Sequence, residues 1–494
     1  MKRFVLLVSI IACFPGQTRA AEDAVSHAMK LYEKRHYDEA ASLLRPAAAS
    51  LEPSRQGAAN LALGMIYFKN AVLHRELYQS SALSSLDYLK KLSAARGKDR
   101  SRFVDLYLGD LLEETGKPEV ASIYLEKFAG TTGVESRFRE IAKAGLGLSN
   151  HRGNDASKAT DLWAAINAAD PEVKAELAVA YSKAGLQGKD PVGMADEALA
   201  AEKKSGKQLT MRLMKNTLSV YADAGLTEKG LDLLRRTDLK GFSYREAIGK
   251  SKVINFYDPS LLGDMATLYG RASVAYLERA ASDPKVKEMA EFYLCQAYAL
   301  FGKVEQSSKI ASSFIAGSQM PEPYKNRIRA WQGADLYLTH HQSEALHLWD
   351  DLSRRQADDP DLLAEILSVC ARLKIDCPAI VQKAAAAAET GEGKKFSGLN
   401  SAIGRYYLGR LENGKALSYL EAGRDKSNKN KIEANDPVML VALADAYFRT
   451  KKFSEALEIY FEMSKQFPEV RQIQEAMQGV YAMEHKSAGD VKIN

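Results

Sequence analysis

Residues 436–468 read DPVMLVALADAYFRTKKFSEALEIYFEMSKQFP, two helices joined by a turn. Leu440, Leu443, Ala444 and Tyr447 fall at the i, i+3, i+4, i+7 spacing that gathers side chains on one helix face. Ala456 and Tyr460 keep that spacing on the second helix, and Pro468, which cannot continue a helix, closes the segment. Ala444 and Ala456 carry little bulk, so they mark where two antiparallel axes can approach closely. Tyr447 and Tyr460 are large enough to fill the wedge left toward a neighbouring pair.

The frame recurs along the chain. Residues 396–423 give Ile403, Gly404, Tyr407, Ala416 and Leu420, and residues 288–314 give Leu294, Cys295, Tyr298, Gly302 and Phe314. Pro171 opens a unit with Leu177, Ala178, Tyr181 and Gly185, and residues 102–128 carry Leu108, Gly109, Leu112, Gly116, Ala121 and Leu125. At the front, Ala28, Ala40 and Leu44 fit, followed by Leu61, Leu63, Gly64 and Tyr67. Weaker units lie at 141–166, 211–234, 264–280, 329–352 and 362–388.

These spacings resemble the tetratricopeptide repeat, a 34-residue pair of antiparallel helices. The resemblance implies an all-α fold, a right-handed superhelical solenoid of about eleven helix pairs. No stretch alternates apolar and polar residues with period two, which excludes a barrel or a sandwich. The expected organisation is an N-terminal superhelix over 21–240, an irregular helical junction at 241–284, a C-terminal superhelix over 285–469, and a capping helix with a tail over 470–494. Residues 426–436 read as a polar, basic loop between repeats.

A chain of 494 residues exceeds what one core supports, as a repeat array requires. Its first twenty residues have the form of an export signal. Lys2 and Arg3 precede an apolar run from Phe4 to Phe14, and Thr18-Arg19-Ala20 suits cleavage near Ala20. The run is shorter than the ~20 residues that span a bilayer. Export to the periplasm is therefore expected. The alternative is an outer-membrane lipoprotein acylated at Cys13, since Ile10-Ile11-Ala12-Cys13 resembles a lipobox; only then would a membrane tether exist. The net charge of +5 falls to an excess of two once Lys2, Arg3 and Arg19 are removed, too little to point to nucleic acid.

Catalytic motifs are not found in the sequence, and no enzyme, cofactor or metal is expected. Gly409 to Lys415 (GRLENGK) matches most of a phosphate-binding loop, but Ala416 stands where the Mg²⁺-binding hydroxyl belongs and no strand precedes it. His340, His341 and His347 lack a convincing fourth ligand and read as polar residues at a turn. The adjacent pairs Glu113-Glu114 and Asp350-Asp351 point in different directions on a helix and read as solvated faces. Cys295 sits at a helix crossing and reads as a buried thiol, while Cys370 and Cys377 flank the turn CARLKIDC and could form a disulfide.

What the resemblance implies for function is a groove lined by the first helix of each pair, holding a protein partner of the cell envelope in an assembly or polysaccharide-export complex. The alternatives are a ligand- or lipid-binding solenoid and the superhelical part of a cell-wall enzyme system. Carried over, the groove face presents Arg405, Val438, Val441, Asp445, Phe448 and Arg449, with Ser401 beside them. Midway along it come Met289, Phe292, Gln296 and Leu300, and at the front Met29, Tyr32, Leu61, Met65 and Phe68.

Overall fold

Four helices begin at an Asp-Pro dipeptide: Pro171–Ala184, Pro191–Lys204, Pro360–Leu373 and Pro437–Arg449. Proline at the first helical position has no N–H to leave unsatisfied, and the aspartate before it accepts from the exposed amides of the first turn. Asp170 takes Glu172 N at 2.9 Å, Asp190 takes Gly193 N at 2.8 Å, and Asp359 and Asp436 each take an amide at 3.1 Å.

The computed structural model describes residues 19–51, 53–94, 103–206, 209–237, 239, 259–355, 359–390, 397–424 and 434–487. The expected leader with Cys13, most of the 241–264 stretch and the basic loop at 426–433 lie outside the described residues. Among the described residues are twenty-three α-helices and no strand. Twenty form ten antiparallel hairpins; Pro53–Ala94, Ser260–Ala281 and Val470–Ser487 stand outside them.

The hairpins share one crossing device. Gly109 faces Leu125, Gly147 faces Trp163, Gly333 faces Trp349 and Gly404 faces Leu420, each pair sixteen residues apart, and a Cβ on any of these glycines would overlap its partner. Both indoles also donate Nε1–H to the first helix, Trp163 to Ala144 O at 3.0 Å and Trp349 to Ala330 O at 2.8 Å. The turns share a second device, a left-handed residue between the helices. Gly116, Gly225 and Gly302 fill it, as do Arg35, Asn154, His340, Leu411 and Lys451, which have a Cβ and therefore pay about 1–2 kcal/mol there. In the last hairpin Leu440, Leu443, Ala444, Ala456 and Tyr460 are all fully buried. Tyr447 reaches back rather than forward, its hydroxyl donating to Glu421 of the preceding hairpin at 2.8 Å.

Two expected units are not hairpins. Residues 53–94 form one helix of 42 residues: after Gly64 the segment has neither glycine nor proline to interrupt it. Residues 260–281, within the expected irregular helical junction, form one helix of 22 residues.

The chain divides into two compact units. Unit 1 comprises residues 1–73 with 269–466, and unit 2 comprises 74–268 with 467–494. Unit 1 is joined from distant segments. Ser273 donates to Gly64 O at 2.8 Å, Tyr67 stacks between Tyr269 and Tyr276, Tyr269 donates to Asp38 at 3.0 Å, and Gln466 donates to Lys34 O at 2.7 Å. Unit 2 groups the C-terminal helix with residues 74–268. Just ahead of it, Glu469 makes a buried 2.8 Å contact with His74 Nε2.

Candidate functional site

A pocket of about 680 Å³ lies within unit 1. One wall comes from the N-terminal segment, with Tyr37, Phe68, Lys69 and Val72. The opposite wall comes from helices of five later hairpins, through Gln296, Arg327, Arg372, Ser401 and Val438, with Arg424 at the end of Asn413–Gly423. The volume is that of a small-molecule site, but the lining is more polar than most such sites.

Five cationic side chains, Lys69, Arg327, Arg372, Arg405 and Arg424, share the lining with three carboxylates, Asp361, Glu365 and Asp436. The carboxylates have work inside the fold. Asp361 pairs with Arg327 at 3.0 Å, Glu365 accepts Nε1–H of Trp331 at 2.6 Å, and Asp436 caps its helix. The Arg372 guanidinium lies 5.9 Å from the Trp331 ring centre. Lys69 makes no hydrogen bond and no ion pair within the described residues. Burial lowers its pKa, and Asp436 only partly restores it.

The structure brings Phe68, Gln296, Ser401, Arg405 and Val438 of the expected groove face to this pocket. Val441, Asp445, Phe448 and Arg449 are not in its lining. Val441 is buried, and Asp445, 5% exposed, holds Arg449 in a two-pronged pair at 2.7 and 2.9 Å. Phe448 is half-buried against Phe453, ring centres 5.5 Å apart. Lys69, Arg372 and Arg424 were missed because nothing in the repeat frame places residue 69 opposite residues 361–439.

Other sequence candidates have local explanations. Gly409 ends one helix, Leu411 supplies the left-handed turn and Asn413 starts the next, so the loop-like motif is a hairpin turn; Lys415 binds Glu412 at 2.7 Å. His340 holds the left-handed position of its own turn, and His341 lies 3.2 Å from Thr339 Oγ1. Among the described residues no His, Cys, Asp and Glu group is placed to hold a metal ion. Cys295 is fully buried, its sulfur 3.6 Å from Ser307 Oγ, and burial pushes its thiol up to about 12. Cys370 and Cys377 are both buried and free, with a hydrogen bond between their side chains that pushes the Cys370 thiol up.

Unit 2 carries a charge cluster of its own. Helix Met211–Asp223 is buried along nearly its whole length despite Arg212, Lys215 and Asn216. Arg212, 2% exposed, bridges Glu176 at 2.8 Å and Asp110 at 3.2 Å. Burial alone would push the Glu176 carboxyl up; Arg212 and Lys215 hold it below its ordinary value. Glu113 binds Arg152 and Glu114 binds Lys183. The two do point apart, but Glu113 is 4% exposed and so not on a solvated face. Burial first, and Glu114 next, push its carboxyl up to about 7.

No protein-family model matches the chain, and no curated protein matches it. Solved structures are similar over most of its length. Yeast Tom70 is 12% identical, covering 95% of this chain and 96% of that one, with a TM-score of 0.33. Cut9 with Hcn1, a hetero-tetramer of the APC/C, is 12% identical over 97% and 99%, with a TM-score of 0.28. The human IFIT1 dimer with m7Gppp-AAAA is 10% identical over 81% and 94%, with a TM-score of 0.27. The tetratricopeptide-like, all-α architecture of the present chain rests on its own hairpins, crossings and turns.

Proposed function

We propose that the chain is a non-catalytic interaction scaffold of the bacterial cell envelope, exported by residues 1–20 and holding a protein partner on the inner wall of unit 1. One observation carries this reading: side chains from both ends of unit 1 converge on one preformed wall, so a partner would meet an already ordered surface and the ordering cost of association would be small. No described helix is long and apolar enough to cross a membrane. The test is crosslinking in intact envelopes with a photoreactive residue at position 405, against a control at exposed Glu119 on helix Pro118–Ala129 of unit 2. A discrete adduct at 405 alone supports the scaffold; equal labelling at both sites refutes it. Mass spectrometry of the mature N-terminus tests export: a start near Ala21 supports cleavage, diacylglyceryl-Cys13 supports the lipoprotein, and an intact Met1 refutes both.

The pocket favours a second reading, a solenoid that binds a small ligand. Its size suits one, and the N-terminal wall turns part of the inner surface into a chamber.

A further inference from the structure

We propose that the unit 1 chamber binds a small polyanion, a molecule with at least two carboxylate or phosphate groups, and that Lys69 is its principal contact. The proposal rests on the ligand-binding reading above and supplies the chemistry that reading lacks.

Three observations carry it. The first is size: about 680 Å³ is room for a compact molecule. The second is charge. Among the described residues the lining has five cations against three carboxylates, and the carboxylates are engaged by Arg327, by the Trp331 indole and by a helix N-terminus. The third is Lys69 itself. An ammonium in a desolvated wall is costly unless an opposite charge meets it, and none of the described residues pairs with it. A neutral ligand would displace water and leave that cost in place. An anion would remove it, while Arg372 and Arg405 offer planar donors that match carboxylate or phosphate oxygens two at a time. Unit 2 is a useful contrast, since its buried arginine already has two carboxylates.

Linkage adds a signature. Burial lowers the pKa of Lys69, and a bound anion would raise it again, so binding takes up a proton once the pH exceeds the lowered value. Affinity should then weaken as pH rises through that value, and should weaken with added salt.

The experiment is calorimetric titration of the mature full-length chain with inorganic pyrophosphate, with citrate and with sucrose as a neutral probe of similar bulk. It is repeated on Lys69→Met, which keeps the aliphatic stem, and on Ser401→Trp, which fills the chamber. Melting temperatures confirm that each variant is folded. The expected result is anion binding that falls at least tenfold in Lys69→Met and disappears in Ser401→Trp, with no sucrose binding. The tighter of pyrophosphate and citrate identifies phosphate or carboxylate as the preferred group. Anion binding unchanged in either variant overturns the proposal, because the anion then sits elsewhere. Sucrose binding that Ser401→Trp abolishes, without anion binding, overturns the polyanion and leaves the ligand-binding reading standing. If no probe binds, both fall.

Discussion

Arg212 of unit 2 and Lys69 of unit 1 are both cations on helices of the same architecture, and they meet opposite surroundings. Arg212 lies between Glu176 and Asp110 and is almost wholly buried, while Lys69 lies half-buried in a chamber wall with no paired carboxylate among the described residues. The contrast teaches that a helix-hairpin array can use its inner side in two ways. In unit 2 interior charge is matched by interior charge, which fixes the packing and leaves little to offer a ligand. In the unit 1 pocket the described cations outnumber the described carboxylates, and the space in front of them is open.

The contrast breaks most visibly at Arg212. Arg212→Met should destabilise the protein by about 3–5 kcal/mol, because Asp110 and Glu176 would be left as buried charges. Urea unfolding followed through unit 2 would read it, and a loss under about 1 kcal/mol would mean that the pair is as replaceable as a surface one.

The next effect belongs to unit 1. Ser307 Oγ lies 3.0 Å from Cys295 O and 2.8 Å from Asp335 Oδ2. The hydroxyl donates toward both acceptors, which favours the ionised carboxylate, but burial outweighs it. Burial pushes that carboxyl up to about 7, well above its unfolded value near 4. A folded pKa raised in this way means that the folded state holds the proton more tightly. The stability it contributes is complete below pH 4 and is lost as pH rises through 7. Between pH 5 and 8 the chain should lose roughly 2–4 kcal/mol from this group, and Asp335→Asn should remove that part of the pH dependence. Parallel profiles for the two proteins would contradict it.

The shared crossing device sharpens the comparison from the other side. Gly147→Ala in unit 2 and Gly333→Ala in unit 1 each force a Cβ into a tryptophan, and each should cost roughly 1–3 kcal/mol by thermal melting. A large cost in one unit and none in the other would show that the hairpins are not equivalent. The smallest effect is expected at Lys69: Lys69→Met should change stability by less than about 1 kcal/mol, since no pair is broken. A drop like that of Arg212→Met would place Lys69 in the structural framework and out of any binding site.

The hairpins were legible because their determinants are local. Spacing of Ala444 and Ala456, glycine at 116 and 302, and aspartate with proline at 436–437 act within a few turns of helix. The Gly-to-Trp spacing of 147 to 163 and 333 to 349 was equally present in the sequence and would have strengthened two units read as weak. The division into units was not legible, because Tyr67 against Tyr269 or Asn70 against Asp38 is a contact that no repeat period specifies. The pocket was legible in halves. The frame put Arg405, Ser401, Val438 and Phe68 on the groove face, but it could not tell that Phe68 and its neighbours in residues 37–73 would stand opposite the other three.

That arrangement has a consequence for how the protein is made. Unit 1 is interrupted by residues 74–268, so its first segment emerges long before its second. Tyr67 and Lys34 must wait for Tyr269 and Gln466, contacts of high sequence separation that close slowly because the intervening chain loses entropy when its ends meet. In vectorial synthesis the N-terminal hairpin would therefore stand with its apolar face uncovered while unit 2 forms, a period of exposure to chaperones and proteases.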